Sequence, residues 1–333
     1  MVKKVGVIFG GQSHEHEVSL RSVLTLLQQI DYKEFSVVPF LITSEGKWVK
    51  YVTLREPISS LGDLWVDSEI NPSPLFPWKS NIDIFFPLIH GETGEDGKLQ
   101  GFLEMIGIPY IGSNVEASAV GMNKVLAKIV ANHIGGVEIV PYEIIRKDSY
   151  QSNTRVELPF DYPVFIKPSR AGSSVGVSKV YSNEELQNAL KEAFLIDDLV
   201  LIEKAIVGKE IEVGVIGKTK PEASMVGEIE FLSDFYDYEN KYLKDSSVMH
   251  IPARIDAKAQ EEVRDFAKKV YASIGCEGYA RVDFFIEENT NVIYFNEINT
   301  SPGMTEKSMF PVLFSNSYTF TELLTKIINN KLS

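Results

Sequence analysis

The stretch "RVDFFIEENTNVIYFNEINTSPGMT", Arg281 to Thr305, holds two apolar runs joined by a polar turn, then a break imposed by Pro302 and Gly303. Side chains two apart on a strand share a face, so Glu297 and Asn299 converge on one point. Asp283 and Glu297 are equidistant from Thr290. With an odd-numbered turn centred there, they are cross-strand neighbours on the face that carries Asn299. Two carboxylates about 4 Å apart repel by on the order of 1 kcal/mol in water and roughly 4 kcal/mol at an effective dielectric constant of 20. A cation reverses that sign. Carboxylate and amide oxygens without His or Cys indicate a hard ion, Mg2+ or Mn2+, which keeps waters and bridges substrate phosphates. The competing account, an acidic hairpin end open to solvent, is weakened by the apolar Val282, Phe284, Ile293 and Phe295 around it.

Outward from this hairpin, the chain opens with a strand from Val5 to Phe9, a Gly10-Gly11 turn, and a helical pattern carrying Val18, Leu20, Val23, Leu24 and Leu27. A second apolar strand, Ile82 to His90, runs into "GETGEDG", a helix near Leu99 to Ile106, and a short strand in "IPYIG". This alternation implies a parallel sheet with its ligand loops at one edge, which puts His90 and Glu95 on the same rim as Ser13 and Glu15. From Glu116 one long helix is expected as far as Gly135-Gly136. Strand pairs follow in "PVFIKPSRAGSSVGVSKV" and "LVLIEKAIVGKEIEVGVIG", with a helix from Asn183 to Phe194 between them. The last third reads as strands near Ala223 to Phe231, a polar and aromatic loop from Ser233 to Ser247, a helix from Ala257 to Ile274, the hairpin, and a terminal helix from Phe320 to Lys331. The expected domains are 1–115, 116–207 and 208–333.

With 333 residues and 44% hydrophobic content, the chain can bury a core large enough for two or three domains. A formal charge of −13 and a pI near 5.0 argue against nucleic acid or an anionic membrane as the main partner. Cys276 stands alone, so no intramolecular disulfide forms, and "MVKKVGVIFGG" is too short an apolar run for a signal peptide or a membrane span; a cytoplasmic location is expected.

Each remaining motif has a bland account beside its chemical one. The Gly10-Gly11 turn lacks the G-x-G-x-x-G pattern, and Glu15 and Glu17 put negative charge where a pyrophosphate would sit; an ammonium ligand suits them better, unless Ser13 merely caps the helix and the glutamates complement its dipole. In "KPSRAGSSVGVSKV", Gly172 and Gly176 permit a tight backbone, Ser173 and Ser174 offer donors to anionic oxygens, and Lys167 adds a point charge. The loop lacks a P-loop ending, and a flexible hairpin with a solvated lysine is the alternative. Glu203 and Glu210 suit an adenine amino group and a ribose, or are only solubilising. The tyrosines of "SDFYDYENKYLKDSS" suggest a lid, or packing on a neighbouring domain.

Taken together, "GGQSHEHEVSL", "HGETGEDGKLQG", "MNK", "IKPSRAGSSVGVSKV", "EKAIVGKE", "FYDYENKY", "GYARVDFF" and "NEINTSPGMT" occur in the order and approximate spacing of the D-alanine–D-alanine ligases of the ATP-grasp superfamily. The chain resembles that family over nearly its whole length. The resemblance implies a three-domain ATP-grasp fold, α/β in a Rossmann-like N-terminal domain and α+β in the ATP-grasp part. It implies ATP and D-alanine as substrates, two Mg2+ or Mn2+ ions, and a homodimer. It implies that Lys124 and Lys167 contact ATP phosphates, that Glu203 and the backbone of Ala205 and Ile206 meet adenine, and that Glu210 meets ribose. Asp283, Glu297 and Asn299 would bind the metals; Glu15, with Ser173 and Tyr242, would hold the ammonium of the first D-alanine; Arg281 and the N–H of Gly303 would face the developing oxyanion. His90 would lie near the first substrate, Lys241 would reach the transferred phosphoryl group, and Ser308 would anchor the second carboxylate. Tyr242 and Met309 resemble the branch that uses D-alanine as acceptor; ligation to D-serine, or a nucleotide-binding regulator without turnover, are the alternatives. Glu306-Lys307 departs from a common Ser-His, and Ala205 from a frequent aromatic.

Overall fold

The computed structural model describes residues 2–70, 82–150, 156–231 and 247–332. Three sheets organise them. In the first, β4 (Val66–Ile70), β3 (Trp48–Tyr51), β2 (Phe35–Ile42), β1 (Lys3–Gly10) and β5 (Ile84–Leu88) lie in that order, with β1 parallel to both β2 and β5. The near-continuous apolar runs of β1 and β5 reflect burial on both faces, as a parallel strand requires. Strands β3 and β4 extend this parallel centre antiparallel. Helix α1 (His16–Gln29) covers one face with Val23, Leu26 and Leu27. The side chain of Ser13 does not cap it; Glu15 occupies the cap position, and the Ser13 hydroxyl accepts from the Glu15 N–H and donates to the carbonyl of His90. Helix α2 (Lys98–Ile106) follows β5.

The second sheet is antiparallel, in the order β7 (Tyr142–Arg146), β10 (Leu199–Lys204), β8 (Val164–Pro168), β9 (Ser178–Val180), and is covered by α5 (Asn183–Ala193). The third runs β13 (Ser247–His250), β12 (Glu222–Phe231), β11 (Gly208–Gly217), β14 (Gly278–Glu287), β15 (Ile293–Asn299), β6 (Glu138–Ile139). Helix α6 (Ala257–Ile274) starts where Asp256 accepts from Ala259 N at 2.8 Å and ends at left-handed Gly275; its Val263, Ala267, Val270, Tyr271 and Ile274 face this sheet.

Two expectations change here. The helix expected from Glu116 to Gly135 is two, α3 (Val115–Met122) and α4 (Lys124–Ile134), separated at Asn123. Asn123 has extended backbone and its side chain accepts from Val125 N and Leu126 N, so it starts a new helix instead of continuing the old one. Both helices and β6, expected with the strands up to 207, pack instead on the third sheet, since Ala117, Ala127, Ala131 and Val137 join the core of Val282, Phe284 and Phe295 and β6 pairs with β15. Helices α7 (Met309–Leu313) and α8 (Phe320–Leu332) return to the first sheet, where Phe310, Leu323 and Ile327 share a core with Val5, Leu26 and Phe86. No helix among the described residues is long and apolar enough to cross a membrane.

Candidate active site

The hairpin pairs Asp283 with Glu297 and Arg281 with Asn299, so the carboxylates do face each other across β14 and β15. The route differs from the expected odd-numbered turn. Glu287 N bonds to Val292 O at 3.0 Å and Phe284 lies opposite Phe295, a register that by itself would set Asp283 against Asn296. An extra residue, Asn296, bulges from β15 and returns Glu297 to Asp283.

The bulge opens onto a cleft of about 1040 Å3 between the second and third sheets, lined by Lys124, Lys167, Glu203, Ile206, Glu210, Asn296 and Glu297 among others. The break at Asn123 aims α4 at it. Lys124 N bonds to Ser169 O at 3.0 Å, Ser169 Oγ to Asn123 Oδ1 at 2.9 Å, and Lys124 Nζ lies 3.3 Å from Glu297 Oε2. Glu203, on β10, is buried between Lys167 at 2.6 Å and Lys128 at 2.9 Å. Burial would raise its carboxyl, but the two ammonium groups prevail and hold it at about 2. Burial likewise pulls Lys167 down, and Glu203 with Glu297 holds it above the ordinary lysine value; for Lys128, burial wins and the value falls.

The loop after β8 is strained. Ser173 and Ser174 have φ of 50° and 58°, consecutive non-glycine residues in the left-handed region, a conformation that persists only where neighbours enforce it. Two restraints are visible. Arg170 pairs with the buried Asp197, which also accepts from Arg170 N at 2.7 Å and Leu199 N at 3.0 Å. At the loop's tip, the Ser173 hydroxyl donates to Glu15, at the start of α1. Glu15 Oε2 lies 2.5 Å from where a Cβ on Gly91 would sit and 3.3 Å from one on Gly172, so glycine on both sides makes room for the carboxylate.

His90 closes the other side. Buried at 3% exposure, its Nδ1 lies 2.9 Å from the carbonyl of Ser301 and its Nε2 3.0 Å from Ser22 Oγ, which also accepts from Met304 N at 3.4 Å. The turn that carries Gly303 is thereby fastened to α1 and β5. Burial raises the carboxyl of Glu95, 3.6 Å from His90, above the usual range, with His90 opposing. Ser308 Oγ accepts from Thr305 N at 3.1 Å, and a Cβ on Gly303 would stand 2.9 Å from it.

Asp283, Glu297 and Asn299 form an oxygen donor set on one sheet face. Arg281 engages Asp283 through Nε at 2.8 Å and Nη2 at 2.7 Å, and also reaches Glu212 at 3.0 Å; burial opposes its charge, but the carboxylates keep its pKa well above the ordinary value. Among the described residues no group of three or more His, Cys, Asp or Glu side chains could hold a metal ion by itself. Two opposed carboxylates and an amide fit an ion that takes its remaining ligands from water and phosphate.

Other expected residues lie differently. Ala205 already donates its N–H to Pro163 O at 3.2 Å, so only its carbonyl is left for a base. Met309 is buried, 3.0 Å from where a Cβ on Gly227 would sit, inside the α7–β12 packing and outside the cleft lining. Tyr242 and Lys241, with the rest of the lid expected from Ser233, fall within 232–246, outside the described residues. Sequence reasoning passed over Ser22, Lys128, Asp197, Glu212 and Asn296. For Lys128 a signal existed: it lies one helical turn after Lys124 on an otherwise apolar face.

A family model described as D-ala D-ala ligase N-terminus matches residues 4–113, and one described as D-ala D-ala ligase C-terminus matches residues 131–329. The chain is 41% identical over 343 residues to a D-alanine–D-alanine ligase of Caldicellulosiruptor bescii, covering 98% of this chain and 94% of that one. It is also 41% identical, over 349 residues, to a D-alanine–D-alanine ligase of Geobacillus kaustophilus, with coverage of 98% and 94%. Among solved structures, the VanG D-Ala:D-Ser ligase of Enterococcus faecalis superposes with a TM-score of 0.85 at 34% identity, over 99% of this chain and 100% of that one. The D-alanine–D-alanine ligase of Coxiella burnetii gives 0.82 at 28% identity, with coverage of 99% and 94%.

Proposed function

The chain belongs to the D-alanine–D-alanine ligase family, and we propose from this that it is an ATP-dependent ligase joining two D-alanines for peptidoglycan synthesis. The observation that carries the reading is the meeting of Glu15 with Ser173, which brings an acceptor for an ammonium group against a strained, serine-rich loop beside a cleft holding Lys124 and Lys167. A carboxylate is a poor acyl donor. ATP converts that of the first D-alanine to an acyl phosphate, and the amine of the second then displaces phosphate. Lys124 and Lys167 offset phosphate charge, Glu210 meets the ribose and Glu203 the base; Glu15 and Ser173 hold the first ammonium, with Tyr242 completing the network. Arg281 and the Gly303 N–H stabilise the oxyanion, and Ser308 takes the second carboxylate. Asp283, Glu297 and Asn299 would hold two Mg2+ or Mn2+ ions, which supply charge neutralisation at the phosphates. Lys241 is assigned to the transferred phosphoryl group, and the tyrosine-rich segment to keeping water from the acyl phosphate.

Incubation with ATP, Mg2+ and competing D-alanine, D-serine and D-lactate, with products identified by mass, tests this reading. D-alanyl-D-alanine is the expected product; the absence of phosphate release with any D-amino acid refutes ligation, and a mixed D-Ala–D-Ser product reassigns the acceptor. Asp283→Ala is expected to abolish turnover, and appreciable turnover by the folded variant sinks the metal assignment. A cytoplasmic homodimer joined through the N-terminal domain completes the proposal; a monomer by light scattering at assay concentration rejects that part.

A further inference from the structure

We propose that Lys128 is a positioning residue for the ion-binding carboxylates: its ammonium, held between Glu203 and the main-chain carbonyl of Asn296, maintains the β15 bulge that turns Glu297 toward Asp283. The proposal rests on the ligase reading for the identity of the nucleotide and ion.

Lys128 is fully buried, with Nζ 2.9 Å from Glu203 Oε1 and 2.9 Å from Asn296 O, over the ring of Phe295 at 5.8 Å. Packing alone gives no reason for an ammonium here. Methionine fills nearly the same space without desolvating a charge, and replacing buried ion pairs by apolar residues is often neutral or stabilising. The partners explain the lysine better. A bulged residue is unpaired in the ladder, and a buried carbonyl so released needs another donor. Lys128 supplies it from α4.

The register shows what depends on this donor. Between Ile286↔Ile293 and Phe284↔Phe295 the ladder is regular, and its continuation would pair Asp283 with Asn296. Glu297 would then fall on the face that carries Phe284 and Phe295, because a one-residue slip exchanges the faces of a strand. The bulge instead presents both Asn296 and Glu297 to the cleft, where Lys167 Nζ lies 3.3 Å from Asn296 Oδ1 and Lys124 Nζ lies 3.3 Å from Glu297 Oε2. With its other contact on Glu203, Lys128 couples the base end of the cleft to the ion end without lining the cleft itself.

The test compares wild type, Lys128→Met and Lys128→Arg by calorimetric binding of adenylyl imidodiphosphate across a Mg2+ titration, with thermal unfolding in parallel. In folded Lys128→Met the Mg2+ concentration giving half-maximal nucleotide binding is expected to rise tenfold or more. Lys128→Arg, which keeps charge and donors, is expected within about threefold of wild type, since the guanidinium has N–H groups enough for both the carbonyl and the carboxylate. Wild-type Mg2+ dependence in folded Lys128→Met overturns the proposal. If Lys128→Met does not fold, Lys128→Arg decides: dependence within threefold supports it, and a larger shift overturns it. Binding is read without D-alanine, so a wild-type protein that binds Mg2+ and nucleotide but forms no dipeptide defeats the ligase reading and leaves this one standing.

Discussion

Asp197 is expected to control the loop that carries Ser173, although it lies in the connection between α5 and β10 and is absent from the cleft lining. Its side chain is 3% exposed and receives Arg170 N at 2.7 Å and Leu199 N at 3.0 Å, together with the Arg170 guanidinium. Hydrogen bonds to a charged group contribute about 1.5–3 kcal/mol each, so loss of the two main-chain bonds in Asp197→Ala removes roughly 3 kcal/mol or more. Arg170 is 55% exposed, and solvent screening limits its share to about 0.5–1 kcal/mol. The expected destabilisation is about 3.5 kcal/mol or more for Asp197→Ala and roughly 1–2 kcal/mol for Asp197→Asn, which keeps an acceptor oxygen. Urea unfolding of both variants and of Arg170→Ala gives the cycle, with an expected coupling of about 0.5–1 kcal/mol between the two side chains. With one anchor gone, the strained serines lose an enforced geometry, and the KM for ATP is expected to rise roughly two- to fivefold, the equivalent of that coupling. Asp197→Ala within about 0.5 kcal/mol of wild type, or Asp197→Asn as damaging as Asp197→Ala, would refute the anchoring role.

Asn123→Ala removes the acceptor for Val125 N, Leu126 N and Ser169 Oγ; a loss of about 1 kcal/mol is expected, with a raised KM for ATP and an unchanged KM for D-alanine, and equal changes in both would count against the helix break as the device that aims Lys124. Gly208→Ala places a Cβ 1.9 Å from Ile286 O, which only main-chain displacement relieves, so a loss above about 2 kcal/mol by urea unfolding is expected and an unchanged midpoint contradicts it. Glu203, ordinarily near 4.5 and held at about 2 when folded, contributes stability that is complete above about pH 4.5 and is lost as pH falls toward 2; Glu203→Gln should flatten that acid limb, and an equally steep limb in the variant rules out this carboxylate as its source.

Much of the fold was legible because periodicity carries it. Helix α6 ends where its caps and apolar stripe say, at Ala257 and Ile274, and β1, β5 and α5 lie within a few residues of the expected places. The break at Asn123 was not legible from its apolar surroundings. Asn is tolerated in helices and favoured at caps, and here its side chain caps α4 while also accepting from the hydroxyl of Ser169, a residue of another strand's loop. The packing of α3 and α4 on the third sheet was hidden for a related reason, since an apolar helix face does not name the sheet that covers it.

The sequence by itself determined that Glu297 and Asn299 share a face, because strand alternation is a local rule, and it determined that lysines, serines and glutamates of the right kinds stand beside glycine-rich turns. Only the tertiary structure decided that Asp283 joins them. The hairpin turn leaves the register one residue short, Asn296 supplies the difference, and the carbonyl it frees is taken by a lysine 168 positions away. Glu15 and Ser173, 158 positions apart, touch only because the fold sets the start of α1 against the loop after β8. Local periodicity carries no term for such contacts: they depend on long-range burial, where an unpaired carbonyl or carboxylate costs too much to remain without a partner from wherever the fold brings one.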